Sequence, residues 1–317
     1  MGAEAIDSIS LNFNPASLRL LEAILALVMF GVALDLRLSA FKRVLQAPLA
    51  PLIGLVAQFV VLPAATFGLT MLLRGEPFHL HPSIALGMIL VAACPGGNIS
   101  NFITHLAKGN TAVSVSMTAI STALAVIFTP LNISFWGHLN PDTNAILTRV
   151  ALDPVDLFIT VFLILGLPLA LGLLISHKAP GAAYRLKKPF RYFSIGFFLF
   201  FVLAALAANF ENFLNYVGLV AFVVLLHNGT ALGLGYALAF AARLPEFDRR
   251  AVAIEVGIQN SGLGLTLIFS FFGGLGGMAL IAAWWGIWHI ISGLSLALFW
   301  GRRALPEQLE EAVEHFG

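Results

Sequence analysis

AVAIEVGIQNSGLGLTLIFSFF, residues 251–272, decides how the rest of the chain is read. Glu255 is its only formally charged side chain, and no other follows before Trp300. A carboxylate in so apolar a setting is costly unless a proton, a fixed cation or a cation that comes and goes neutralises it. Gln259, Asn260 and Ser261 stand close by, among Gly257, Gly262 and Gly264. Gly and Asn weaken helix interiors, so a helix through this stretch is expected to be interrupted. A broken helix at membrane depth with an acid beside the break points to transport coupled to a cation.

The composition supports a membrane setting. The 317 residues are 59% hydrophobic and 10% charged, whereas a soluble domain carries roughly 25% charge. The net charge is +1 and the basic residues are segregated rather than patched, so no nucleic-acid partner is expected. The single cysteine, Cys94, excludes an internal disulfide. The first residues, MGAEAIDSISLNFNPAS, are acidic and lack the basic start of a cleaved signal, so the first apolar segment is expected to direct insertion. Met1-Gly2 opens like an acylation motif, but Ile6 stands where Ser or Thr is needed.

A span needs about 20 apolar residues. The chain reads as an all-α polytopic membrane protein with nine spans, roughly 18–36, 48–73, 83–107, 110–130, 154–176, 190–208, 213–241, 247–272 and 276–300. Residues 1–17 precede the transmembrane domain of 18–300, and 301–317 form an acidic tail, read as a short surface helix. With the N-terminus placed outside, only Arg19, Arg74 and Arg149 of the 17 basic residues face outward. That segregation predicts a cytoplasmic C-terminus and supports the count of nine. The third and eighth spans are the interrupted ones, at CPGGNISN (94–101) and GIQNSG (257–262). An odd offset of five spans makes the two interruptions run in opposite directions, as an inverted repeat would, with spans 1–4 matching 6–9 around span 5.

Three groups of residues could carry chemistry. In CPGGNISN, Pro95 has no N–H and Gly96 and Gly97 relax the backbone, so a helix should stop near Cys94 and restart near Asn98. The restarted half-helix would offer free N–H groups to an anion, and unwound carbonyls could take a cation; a kink filled by packing is the plainer alternative. In the fourth span, Ser114, Thr118 and either Ser121 or Thr122 share a stripe. Their hydroxyls suit an alkali cation, but such residues also join membrane helices. In the eighth span, Glu255 and Gln259 stand four apart, just before carbonyls that the break would free. A cation site and a protonated, hydrogen-bonded structural Glu are both open. No cluster has the ligands of a transition metal. Gln58, His227, Asn228 and His289 are isolated polar residues in apolar spans, and Glu22 can snorkel to the outer surface.

CPGGNISNFITHLAKGNTAVSVSMTAISTALAVIFTPL (94–131) resembles the signature of the bile acid:sodium symporter family, and EVGIQNSGLG (255–264) resembles its second signature. VMFGVALDL in span 1, AQFVVLP in span 2 and HIISG in span 9 are similar too, so the resemblance covers nearly all of 18–300. It implies a panel domain and a core domain, with the broken spans crossing in the core and two sodium sites behind the crossing. One site would comprise Ser100, Asn101, Ser114, Thr118 and Glu255. The other would comprise Gln58, Glu255 and Gln259 with the carbonyls of Val256 and Ile258. An organic anion would lie in front of the crossing, near Asn98, Asn260, Ser261 and His289. Relatives usually have Thr at the position of Asn98, and many have Asn at that of Ile290.

The expected function is therefore sodium-coupled symport of an organic anion, a bile acid or a small carboxylate, by alternating access in a cell membrane. No enzymatic chemistry is expected: the Asp-rich metal motif of an isoprenoid enzyme is absent. A proton-coupled antiporter, an anion channel and a membrane-embedded receptor are the competing classes.

Overall fold

The structure, a computed structural model, describes residues 23–34 apart from Leu25 and Val32, together with 45–208 and 210–303. The expectations for residues 1–17, Arg19, Glu22, Arg37, Lys42, Arg43 and the tail from 304 lie outside these residues. The described part is almost entirely helical. Its helices are α1 (Leu49–Leu73), α2 (Pro82–Ala93), α3 (Ile99–Leu106), α4 (Thr111–Leu139), α5 (Pro141–Val150) and α6 (Pro154–Lys178). There follow α7 (Pro180–Ala208), α8 (Phe210–Ala241), α9 (Glu246–Gly257), α10 (Ser261–Phe272) and α11 (Gly276–Gly301). Among the described residues, five stretches are long and apolar enough to cross a membrane: α1, α4, α6, residues 220–241 of α8, and α11. The chain is thus a polytopic membrane protein.

α2 and α10 are too short to span alone, and nearly every side chain on them is buried. A helix apolar on all sides and buried on all sides lies inside the protein rather than against lipid. α2 packs on α11 and α4, while α9 packs along α8 and also touches α3 and α4. α2, α9 and α10 are thus packed among the longer helices, while α3 keeps one face exposed at Ile99, Phe102 and Leu106.

Two boundaries differ from the sequence expectation. The connection at 131–153 is helical almost throughout, because α4 runs past Pro130 to Leu139 and α5 follows at once. Asn140 makes this junction: its side chain accepts from Asp142 N at 3.0 Å, and Pro141 opens the new helix. The basic segment after Lys178 is the opening of α7, not a loop; Ala179 alone separates it from α6.

Candidate ion-coupling site

Both interrupted spans break where the sequence places the interruptions, and the breaks are joined. α2 ends at Cys94, whose backbone turns extended (ψ 157°), and α3 restarts after Asn98. α9 ends at Ile258 (φ −111°, ψ 95°), and α10 restarts after Asn260. Gly96 and Gln259 form an antiparallel bridge. Gly97 N donates to Ile258 O at 2.7 Å, and Asn260 N donates to Pro95 O at 2.8 Å. Backbone groups freed by one break are thus satisfied by the other, as a membrane interior requires. The glycines are needed for this approach. A Cβ on Gly96 would overlap Glu255 Oε1, and one on Gly97 would lie 3.1 Å from Gln259 O.

Glu255 is 1% exposed. Ser100 Oγ donates to its Oε2 at 2.6 Å; Ser114 Oγ lies 2.8 Å from the same oxygen, and Thr118 Oγ1 lies 2.5 Å from Oε1. Asn101 Oδ1 completes the group, 2.8 Å from Ser114 Oγ and 3.2 Å from Thr118 Oγ1. Each hydroxyl has one hydrogen to give. Thr118 nevertheless faces Glu255, Asn101 and, at 3.0 Å, the Ser114 carbonyl. Ser114 faces Glu255 and Asn101. With the Asn101 oxygen on this side, the cluster holds more close oxygen pairs than hydrogens to place between them; with the amide turned, its Nδ2 would donate to both hydroxyls. A cation among the oxygens would remove that mismatch, and oxygens alone are the ligand set of a hard ion.

A second group lies on the same side of the crossing. Gln58 stands in a single π turn of α1 (Ala57–Val61), the kind of bulge that redirects a side chain out of helical register. Its Nε2 donates to Cys94 O at 2.8 Å and to Gln259 Oε1 at 2.6 Å. Gln259 Nε2 donates to Val256 O at 2.7 Å. Gln58 Oε1 is buried with no partner, an acceptor that a cation would fill. The Ile258 carbonyl, named for this site from the resemblance, also accepts the hydrogen bond from Gly97 N. No hydrogen bond joins Glu255 to the two glutamines, and all three bonds to its carboxylate come from the hydroxyl cluster.

The expected anion contacts are placed less tightly. Asn98 is exposed and Asn260 and Ser261 are half-buried. Asn260 Oδ1 caps α10 by accepting from Leu263 N at 3.0 Å, which turns its Nδ2 toward Met29 Sδ in the first span, 3.8 Å away. Ser261 packs on Gly286, three residues before His289 on α11. His289 is buried and its Nδ1 has no partner.

The sequence gave no role to several residues around this centre. Arg250, 3% exposed, donates to Ala107 O (3.0 Å) and Trp300 O (3.2 Å), the last carbonyls around α3 and α11. Asn228 Nδ2 donates to Gly257 O at 2.7 Å. Thr66 Oγ1 and His227 Nε2 are 2.7 Å apart. Asn228 and His227 were visible only as isolated polar residues in an apolar span, Arg250 only as one basic residue among several, and Thr66 carried no signal.

Residues 23–216 match the profile of the Sodium Bile acid symporter family. The chain belongs to that family. It is 36% identical over 284 residues to a sodium-dependent transporter of Bacillus subtilis, YocS, described as uncharacterized, covering 90% of this chain and 84% of that one. It is 32% identical over 283 residues to a probable chloroplastic sodium/metabolite cotransporter, BASS2, of Oryza sativa, covering 89% of this chain and 64% of that one. It is 29% identical over 250 residues to the ileal sodium/bile acid cotransporter of Cricetulus griseus, covering 78% and 68%. Its family is one of sodium-dependent transporters, named for carrying solutes rather than for converting them.

Proposed function

We propose that this protein couples the movement of two sodium ions to an organic anion, by alternating access of a core domain against a panel domain. The observation that carries this reading is the Glu255 cluster, a buried carboxylate ringed by the hydroxyls of Ser100, Ser114 and Thr118 with the Asn101 amide beside them. One ion would sit among Ser100, Asn101, Ser114, Thr118 and Glu255. The second would sit at Gln58, Gln259 and the Val256 carbonyl. Each Gln would rotate its amide oxygen inward, and Glu255 would supply the balancing charge from one side chain away. Binding would replace hydrogen bonds among these groups with ion contacts and stiffen both breaks. The stiffened crossing would then present Asn98, Asn260, Ser261 and His289 to the anion. The N-terminus would face outside and the C-terminus the cytoplasm, in keeping with the basic residues. A bile acid and a small carboxylate both fit a site of a few donors without a fixed cation.

The test uses purified protein in detergent. Its melting temperature should rise with sodium and not with potassium at equal ionic strength, and rise again with an anion from a panel of bile acids and keto acids only when sodium is present. Glu255→Ala should abolish the sodium response. A variant that kept it would overturn the assignment.

A further inference from the structure

Three of the carbonyls freed by the break in the eighth span, those of residues 256–258, are held by three different kinds of partner. In an unbroken helix the carbonyls of Val256, Gly257 and Ile258 would accept from the N–H groups of residues 260, 261 and 262. Asn260 N goes instead to Pro95 O and Ser261 N to Gln259 O. Ile258 O is taken by the backbone of the other break, through Gly97 N. Val256 O is taken by a side chain of the break itself, Gln259. Gly257 O is taken by a side chain of a different span, Asn228 on α8, at 2.7 Å. Of these three, the Val256 carbonyl alone accepts no bond from another element, so a local movement of Gln259 is enough to release it to an ion.

Asn228 is itself held. It is 1% exposed, and Ser292 Oγ on α11 donates to its Oδ1 at 2.6 Å. The Gly257 carbonyl, which can only accept, takes the N–H₂ end of the amide, and the oxygen end is left to receive the Ser292 hydroxyl. Ser292 stands one turn after His289, and its Oγ lies 3.2 Å from the His289 carbonyl. A chain of hydrogen bonds, buried at its Asn228 end, thus runs from α11, through α8, to the peptide next to Val256.

We propose that Asn228, oriented by Ser292, is a positioning residue for the Gln58–Gln259–Val256 cluster. It fixes the Gly257 peptide, and so the direction of the adjoining Val256 carbonyl, and makes α11 and the second sodium position one mechanical unit. The inference rests on the sodium reading above. It adds a residue that touches neither ion nor anion.

The experiment is a sodium titration of melting temperature in full-length wild type, Asn228→Ala, Gln58→Ala and the double variant, with Ser114→Ala as the control partner. Asn228→Ala should raise the half-maximal sodium concentration about three- to tenfold, the range of one lost buried hydrogen bond. Its effect should vanish in the Gln58→Ala background and add fully to that of Ser114→Ala, a pattern that general loosening would not give. Ser292→Ala, at a half-buried position, should shift the midpoint in the same direction by less, and it serves if Asn228→Ala does not fold. No sodium response in wild type would remove the underlying reading. A normal wild-type response with an unshifted midpoint in Asn228→Ala and Ser292→Ala, or full additivity with Gln58→Ala, would overturn this inference alone.

Discussion

The break at 94–98 contains a proline and two glycines; the break at 258–260 contains neither. The first would interrupt a helix in any surroundings, since Pro95 lacks an N–H and Gly96 and Gly97 favour no helix. The second has Ile, Gln and Asn, which a helix tolerates at a modest cost of at most about 0.7 kcal/mol each. Most of what holds it open comes from elsewhere: Gly97, Pro95 and Asn228, joined by the break's own Gln259 side chain, take the groups that a continuing helix would have paired. One break is written locally and the other is imposed by its neighbours. The second carries Glu255, so the charged half of the site depends on contacts that a moving protein can make and unmake.

The comparison is tested most severely at Arg250. If tertiary ties hold the second break, its half-helix α9 needs a firm outer end, and Arg250 supplies it. It donates to Ala107 O and Trp300 O, pairs with Glu246 at 3.1 Å and lies over the Trp300 ring. Arg250→Ala should cost about 3 kcal/mol, between the loss of a charged hydrogen bond and that of a buried ion pair. Arg250→Lys should recover little, because one ammonium cannot reach two carbonyls and a carboxylate in the geometry of the fork. Thermal denaturation measures both. A melting temperature unchanged in Arg250→Ala would mean that α9 is held some other way.

The same contrast explains what could be read from sequence. The polytopic helical class, the family and the place of both interruptions follow from hydropathy, glycine, proline and one isolated charge. Glu255 stands out because nothing else near it is charged, and Ser114 with Thr118 because four residues bring them to one face. Gln58 had no such signal. It is a single polar residue in an apolar span, and the π turn that aims it depends on packing; only the resemblance named it. Asn228 and Ser292 were illegible as a pair because their partner is a backbone carbonyl, which any residue supplies. Arg250 was read as a cytoplasmic charge, since burial is not visible in a count of basic residues.

Gly96 sharpens the comparison next. The locally written break must still leave room for Glu255, and a Cβ at Gly96 would overlap the carboxylate. Gly96→Ala should cost about 1–3 kcal/mol by overpacking and push Glu255 off its hydroxyls, so the sodium response should be lost as well. Gly97→Ala meets Gln259 O at 3.1 Å, a smaller conflict, and should keep a weakened response. Sodium-dependent melting of the two variants, side by side, measures this. An intact response in Gly96→Ala would show that the breaks can part freely.

The smallest expected change is at Asn260, and it separates two duties of one side chain. Its Oδ1 caps α10 through Leu263 N, while its Nδ2 points across to Met29. Asn260→Ser keeps a capping oxygen and loses the amide donor; Asn260→Ala loses both. Capping is worth about 1 kcal/mol, so Asn260→Ala should lower the melting temperature by a few degrees and Asn260→Ser should hardly move it. Both should bind an organic anion about tenfold more weakly at saturating sodium, if the donor faces the substrate. Calorimetry of anion binding beside melting curves resolves the two effects. If Asn260→Ser bound the anion as wild type does, the residue would be a cap alone. The second break would then owe its form to Asn260 as well as to its neighbours, and the anion would have to be held by Asn98, Ser261 and His289 without it.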